Sequence, residues 1–513
     1  MGQLDPASCA NPGLYAPLSD VYNPGFDDGT IGRGVSLGGV DPVADLRTAL
    51  GGDNVLVEPL ELHIFGKDAS LVRGHPIAVV FPQDTAQVAE VVRIAERTGT
   101  PIIARGAGTG LTAGASPTQG GIVVVTTALD EIEIDPGDRT AWVGAGVINL
   151  DLSKAAEPFG LYFAPDPSSQ SACTIGGNVA NNSGGPHCLA EGSTTSHVLG
   201  LEVVLTGGEV VVLGSSAPDP TGLDLKGLIV GSEGTMGIVT RALVRLLPIE
   251  PEVRTLLMGF PDVIGASSAV SAVIAAGLVP AALEMMDQRM TVAVENWLHA
   301  GLPTDAAAVL LAEVVGELEG VESQAELIAG MARANGASSI EVAESPEHRA
   351  LLWKGRKSAF GAIAQLAPDY YLHDAVVPRT RLVETMRAIY EIADREELVM
   401  LNVFHAGDGN LHPLIAFDAS DPIAYEKVHR AGDEIVTVCI RNGGALSGEH
   451  GIGLEKRDLM RGSFTDVDLD AQARLKEVFD PFGVFNPAKI LPEGSRCFDF
   501  GGVRPDLPEG TWV

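Results

Sequence analysis

Two histidines, His405 and His412, stand seven positions apart around a Gly-Asp-Gly-Asn turn in the stretch NVFHAGDGNLHPLIAF, residues 402–417. Apolar runs flank the turn on both sides. If those runs pair as a hairpin, both rings project from one face toward a common point. Glu449 and His450, in the glycine-rich SGEHGIG, supply a carboxylate and a further imidazole on a second loop. Two imidazoles and a carboxylate with an open position suit zinc or a similar divalent ion. A direct substrate contact and a well-hydrogen-bonded hairpin are the other readings of the same residues. A third feature is the basic knot Lys354, Arg356 and Lys357 in LLWKGRKSAFGAI. Arg356 has the fork geometry for a carboxylate clamp, and the alternative for the knot is an exposed basic helix face.

These residues need a scaffold, and the pattern of the chain predicts one of α+β type. PIAVVFP (76–82) reads as a buried strand. In DTAQVAEVVRIAERTG, Asp84 and Gln87 form a capping-box pattern, Val88, Val91, Val92 and Ala95 recur at helical spacing, and Gly99 stops the helix. PIIARG, GGIVVVTT, TAWVGAG and LGLEVVLTGGEVVVLG continue as strands, the last a hairpin around Gly207-Gly208. After Leu247-Pro248 the strands RTLLMGF, AALEMMD and AVLLAEVVG are each followed by a charged, alanine-rich helical stretch. The division expected is an N-terminal extension (1–53) with one short helix at DPVADLRTALG, a first domain (54–250), a second α+β domain (251–480), a returning C-terminal segment (481–492) and a tail (493–513).

Bulk properties narrow the function. A chain of 513 residues, 45% apolar and with 61 glycines, is globular and long enough for two or more domains. Its net charge of −33 removes the basic footprint that nucleic acid or an anionic membrane surface requires. No run of eighteen uncharged apolar residues suggests a spanning helix, and MGQLDPASCANPG lacks the regions of a secretory signal. Cys9, Cys173, Cys188, Cys439 and Cys497 form no CxxC pair, so neither a disulfide framework nor an iron–sulfur cluster is expected. The expected location is the cytoplasm.

Glycine-rich stretches mark the first half. In RGAGTGLTAGASPTQGG (105–121), Gly108 to Ala113 satisfies GxGxxA, with Asp130 twenty residues on. A Rossmann loop must open a helix, however, and Gly114, Pro117, Gly120 and Gly121 forbid one. The loop reads instead as an anion-binding concavity of backbone N–H groups. APDPSSQSACTIGGNVANNSGGP (164–186) is small and polar enough to line a narrow groove, GLIVGSEGTMGIVT (227–240) adds a second small-residue loop, and FGVFNPAKILP (482–492) comes late.

RGAGTG, DPSS…TIGGNVANNSGG, GSEGTMGIVT and FNPAK, in this order, resemble the FAD-binding domain of vanillyl-alcohol-oxidase-type flavoproteins. HAGDGNLHP and SGEHGIG narrow the resemblance to FAD-linked 2-hydroxyacid dehydrogenases, which include D-lactate and D-2-hydroxyglutarate dehydrogenases and the flavin subunit of glycolate oxidase. PHC…HVLGLEVVL and WKGRKSAF lean toward the last of these. AEGST (190–194) departs from the family's KYGVT-like run. The resemblance spans roughly residues 55–492.

That resemblance implies a two-subdomain FAD-binding domain capped by an α+β substrate domain. It implies that Arg105, Gly106, Ala107, Gly108, Thr109 and Gly110 cradle the pyrophosphate. Pro167, Ser168, Ser169, Thr174, Gly177, Asn178 and Gly184 would border the flavin and its ribityl chain. Gly234 and Ile238 would meet the cofactor through their backbone, and Asn486 would approach from the C-terminal segment. Ala104 and Arg105 occupy the place where some superfamily members carry a flavin-linking histidine, so FAD is expected to be non-covalent, with His187 as the one residue against it. His405, His412 and Glu449 would hold the metal, His450 would act as base, Arg356 would clamp the substrate carboxylate, and Asn410 would be a second substrate contact. Leu372 replaces the lysine that relatives acting on 2-hydroxyglutarate use, which favours glycolate or D-lactate, with His373 beside it keeping a dicarboxylate open. The implied reaction passes a hydride to flavin N5, and electrons leave to a quinone or an iron–sulfur partner subunit, which could hold the chain at a membrane. D-2-hydroxyglutarate oxidation, aryl-alcohol or alkyl-glycerone-phosphate chemistry, and a non-catalytic FAD-retaining subunit are the alternatives.

Overall fold

The computed structural model describes residues 41–217 and 222–492. Cys9, Cys497, most of the expected N-terminal extension and the whole of the expected tail lie outside them. Among the described residues, the first layer opens with helix α1 (Pro42–Leu50), started by the Asp41 side chain accepting from Val43 N–H. A small sheet follows, of β1 (Val55–Leu56), β2 (Ala78–Val80), β3 (Ile102–Arg105) and β4 (Ile122–Val125), in the order β1-β2-β4-β3. Helix α2 (Thr85–Thr98) connects β2 to β3. Its Val88, Val91, Val92 and Ala95 pack with Leu46 and Leu50 of α1 against Ala78, Ile102 and Ile122. The helix starts on Asp84, whose carboxylate accepts from Gln87 N–H, and ends on Gly99 in the left-handed conformation. The Gln87 amide turns to Gln83 N–H, one residue before the position a reciprocal capping box requires.

The second sheet is antiparallel: β5 (Ile132–Asp135), β6 (Thr140–Gly144), β7 (Val198–Val204), β8 (Val210–Gly214) and β9 (Ile238–Arg245), in the order β5-β6-β9-β7-β8. β7 and β8 pair from Val204↔Val210 outward, which is the hairpin expected around Gly207-Gly208. Helix α3 (Ile175–Asn181) lies against this sheet, begun by the Thr174 hydroxyl accepting from Gly177 N–H. Residues 106–121 contain no helix, in keeping with a loop whose backbone rather than a helix end would face an anion.

The three strands and helices expected after residue 250 are present as β10 (Glu252–Phe260), α4 (Val263–Ala275), β11 (Ala282–Asp287), α5 (Gln288–Leu298), β12 (Ala308–Gly316) and α6 (Leu318–Ala334). Then come β13 (Ser339–Val342), α7 (Pro346–Lys357), β14 (Asp369–Leu372), β15 (Ala375–Val376), α8 (Leu382–Arg395), β16 (Val399–His405), β17 (Asn410–Leu411), β18 (Pro413–Phe417), α9 (Pro422–Arg441) and α10 (Asp466–Phe479). Seven strands run in the order β13-β10-β12-β11-β16-β17-β15, and β18 joins β16 to β14. One face of this sheet packs on α4, α6, α8 and α9, the other on α5 and α7. The chain then returns to the first layer, where Phe485 bridges Ile102 in parallel and is buried with α2.

Candidate active site

The β16–β17 hairpin sets the histidine geometry. His405 pairs directly with Asn410, and Asn402 with Pro413, so His405 and His412 fall on one face as diagonal neighbours. The turn closes on Gly409 at φ +79, with the Val377 carbonyl packed where a side chain would stand. Both rings are buried, 5.0 Å apart between centroids and nearly perpendicular. Glu449 Oε1 lies 3.0 Å from His405 Nε2 and 3.4 Å from His412 Nε2. One ligand atom from each of His405, His412 and Glu449 falls within 4.8 Å of the others, a grouping able to hold a metal ion. His450 stacks on His412 at 4.9 Å.

The SGEHGIG loop is held from both halves of the chain. Asp374, which follows β14, receives the N–H groups of Gly448 and His450 at 3.0 Å, that of Glu449 at 3.3 Å and the Ser447 hydroxyl at 2.5 Å. Lys456 adds its ammonium at 3.2 Å. From the first half, Glu233 accepts from Ile452 N–H at 2.6 Å and Gly453 N–H at 2.8 Å. Thr112 and Asn181 donate to the His450 carbonyl. Burial would raise the Asp374 carboxyl, yet Lys456 and the nearby imidazoles hold it well below the usual range. Burial likewise opposes Glu449, which His405 brings down to about 2. Burial lowers the His450 imidazole to about 4, against the pull of Asp374, so this ring is neutral.

Behind the histidines lies a carboxylate that the sequence did not single out. Glu284 on β11 is 1% exposed and is the cross-strand partner of His405. Arg356 Nη2 approaches its other side at 2.5 Å. Arg356 is equally buried and ion-paired with Glu284, its Nε and Nη1 have no hydrogen-bond partner, and neither do Asn410 Oδ1 and His412 Nδ1. Buried polar groups are normally satisfied, so this cluster of idle donors and acceptors has the chemistry of a ligand site. Glu284, Asp374 and Glu233 all escaped the sequence reading. Their only signal is a single carboxylate inside an apolar strand or beside a glycine, as in AALEMMD, YYLHD and GSEG.

A cavity of about 470 Å³ runs from the glycine loop to His412, Glu449 and His450. Arg105 to Gly110, Pro167 to Ser169, Thr174, Gly177, Asn178, Gly234 and Ile238 line it. Gly106 packs so closely on the Thr174 hydroxyl that a Cβ would collide with it, which leaves the loop backbone as the wall. This cradle of glycine amides and small hydroxyls fits a flavin dinucleotide. Gly184 and Asn486, expected to border the cofactor, stand outside the lining, as do His405, Asn410 and Arg356 of the expected substrate end. Gly184 N–H donates to Glu449 Oε2 at 3.1 Å, and the Asn486 amide ties the Gly114 carbonyl to that of Glu233 at 2.8 Å each. Lys357, Phe360 and Tyr370 also line the cavity, Phe360 with its ring centroid 6.5 Å from that of His412, while Arg356 is buried outside the lining. His187, considered above as a flavin-linking residue, has both ring nitrogens turned to carboxylates, Asp166 at 3.0 Å and Glu313 at 3.6 Å.

Comparison with known proteins agrees with this layout. Residues 76–214 match the FAD binding domain family, and residues 249–490 match the C-terminal domain of FAD linked oxidases. The glycolate oxidase subunit GlcD of Escherichia coli (strain K12) is 42% identical over 436 residues, 85% of this chain and 87% of that protein. The D-lactate dehydrogenase of Archaeoglobus fulgidus is 32% identical over 80% of this chain and 91% of its own length. A structure of p-cresol methylhydroxylase with substrate bound superposes with a TM-score of 0.76 at 18% identity, covering 88% of this chain and 96% of that one. That likeness concerns the fold, which is of the vanillyl-alcohol-oxidase type. The chain is therefore an enzyme of the FAD-linked oxidase and dehydrogenase family to which glycolate oxidase subunit GlcD and D-lactate dehydrogenase belong.

Proposed function

We propose that this enzyme oxidises a small 2-hydroxy acid, glycolate or D-lactate, to the 2-oxo acid, with FAD bound non-covalently. The observation that carries the reading is the meeting of His412, Glu449 and His450 with the glycine-loop wall in one cavity. FAD, when bound, accepts a hydride from the substrate Cα. A divalent ion, zinc for preference given the nitrogen and oxygen donors, would be held by His405, His412 and Glu449 and would acidify the substrate hydroxyl. Glu284 orients His405 through Nδ1, leaving Nε2 for the ion. Arg356, ion-paired with Glu284, has Nε and Nη1 left over for the substrate carboxylate, and Asn410 has an unpartnered oxygen on the paired strand. His450, its backbone pinned by Asp374 and its imidazole lowered to about 4 by burial, would take the hydroxyl proton.

The size of the acid is read from β14, the strand that gives Tyr370 to the wall. Leu372 packs into an apolar cluster at the position where a lysine would serve a distal carboxylate, which supports a monocarboxylate. No helix among the described residues is long and apolar enough to cross a membrane. Among the described cysteines, Cys173, Cys188 and Cys439 are unpaired thiols, and they supply no cluster for electron transfer. Electrons are therefore assigned to a quinone or to an iron–sulfur partner subunit, with the enzyme cytoplasmic or peripheral to the membrane through that partner. Anaerobic bleaching of the bound flavin by glycolate, D-lactate, L-lactate and D-2-hydroxyglutarate, with and without chelator, tests the reading. Bleaching by none of the four acids would sink it, and rates indifferent to the chelator would remove the metal.

A further inference from the structure

Two lysine or arginine side chains are found on the described wall of the cavity. Arg105 belongs to the glycine loop, where its Nη1 donates to the Lys67 carbonyl at 2.8 Å. Lys357, the last residue of α7, lies on the wall of the cavity that His412, Glu449 and His450 also line. Its ammonium is 2.9 Å from Asp166 Oδ2, and Asp166 directly precedes the Pro167–Ser169 wall.

Lys357 is the outlet of a buried charge network. Asp166 Oδ1 faces His187 Nδ1 at 3.0 Å, and His187 Nε2 faces Glu313 Oε1 at 3.6 Å. Glu313, fully buried on β12, accepts from Arg349 at 2.6 and 2.8 Å, from Trp353 Nε1 at 2.6 Å and from the Thr255 hydroxyl at 2.6 Å. An imidazole with a carboxylate at each nitrogen carries a proton on both, and accordingly the His187 pKa stands at about 10, with the two carboxylates outweighing burial. Among Lys357, His187, Arg349, Asp166 and Glu313 the cations exceed the carboxylates by one, with Arg349 partly exposed to solvent and with Asp68, Glu233 and Glu449 on the same cavity wall. Of these five, Lys357 alone opens on the cavity, with a quarter of its side chain exposed.

A positive charge on the wall of a cavity favours whichever anion forms beside it. The substrate carboxylate already has Arg356. On the reading above, a hydride carries two electrons and one proton from the substrate Cα to a neutral flavin ring, while the hydroxyl proton passes to His450. The ring is left with one negative charge. We infer that Lys357 holds that charge, with Asp166 and His187 fixing its position, so that Lys357 sets the reduction potential of the bound flavin. It forms no bond and gives up no proton in the step.

The inference rests on FAD occupying this cavity, and the test separates the two. On the purified holoenzyme, FAD content and bleaching by a hydroxy acid establish the occupancy. Dye equilibration then compares the flavin potential in wild type, Lys357→Gln and Lys357→Arg. Glutamine keeps a donor for Asp166 and removes the charge, while arginine keeps both. The expected result for K357Q is a tenfold loss in the equilibrium favouring reduced flavin, a fall of about 30 mV for two electrons. K357R should stay near wild type, and oxalate affinity should stay within about twofold in both variants. An unchanged potential in K357Q overturns the inference. Tenfold weaker oxalate binding at unchanged potential also overturns it, by assigning Lys357 to the substrate. A chain that binds no FAD fails at the first step and overturns the functional reading instead.

Discussion

Glu284 meets His405 with both carboxylate oxygens at 2.9 Å from Nδ1, across a β pair in which the two residues are directly opposed. That contact fixes which ring nitrogen faces Glu449 and His412. Carboxylates in this position typically raise metal affinity 10- to 100-fold. Glu284→Gln should therefore weaken zinc retention by about that factor, read as competition with a coloured chelator. Unchanged affinity would mean that the contact only packs the strand.

Asp374 gathers the SGEHGIG loop around itself. Three backbone N–H groups, a hydroxyl and the Lys456 ammonium converge on one fully buried carboxylate. Asp374→Ala leaves Lys456 buried without its counter-charge, and the expected loss is about 3–5 kcal/mol of stability. Urea unfolding checks it. The sign with pH is also set: the folded pKa is depressed, so this stabilisation is present above the unfolded value and is lost as pH falls below it.

Gly106→Ala should cost FAD affinity at least about tenfold, because a close contact with the Thr174 hydroxyl leaves no room for Cβ and the loop must move. Gly320→Ala is the control. It lies in α6 with nothing within 4 Å of its added methyl, and it should leave binding unchanged and stability equal or slightly higher. FAD titration by fluorescence quenching distinguishes the two, and equal affinities would remove Gly106 from the cradle.

Glu455 gives a pH-dependent prediction in the opposite sense to Asp374. Burial, with Asp68 and Asp433 adding repulsion, raises its carboxyl to about 7, although Tyr371 donates to it at 3.1 Å. The folded state then holds a proton that the unfolded chain has released, so stability declines as pH rises from the unfolded value toward 7. Glu455→Gln should stabilise the protein at pH 8 by up to about 3 kcal/mol and have little effect near pH 4. Parallel stability profiles for the two proteins between those pH values would contradict this.

The sequence disclosed the elements that carry local signals. The strands at 252–260, 282–287 and 308–316 announced themselves by apolar runs, and α2 by its spacing and its terminal glycine. The His405–His412 hairpin was legible because turn and flanks are contiguous. Glu284, Asp374 and Glu233 were not, because a lone carboxylate acquires its meaning from a partner roughly 80 to 220 residues away that only the fold supplies. Lys357 and Arg356 show the same limit at close range. Adjacent residues on a helix differ by about 100° in direction, and the one favoured from sequence is the buried one, with its neighbour on the cavity wall.

The parallel bridge between Ile102 and Phe485 has a consequence for biosynthesis. β3 borders the first sheet, and its outer side is met by a segment translated near the end of the described chain. At about 5–20 residues per second, that edge waits on the order of tens of seconds for its cover. During this interval the nascent first half presents an unpaired strand of the kind that recruits other chains. Ribosome-bound intermediates of this enzyme should accordingly be clients of chaperones until the last segment clears the exit tunnel.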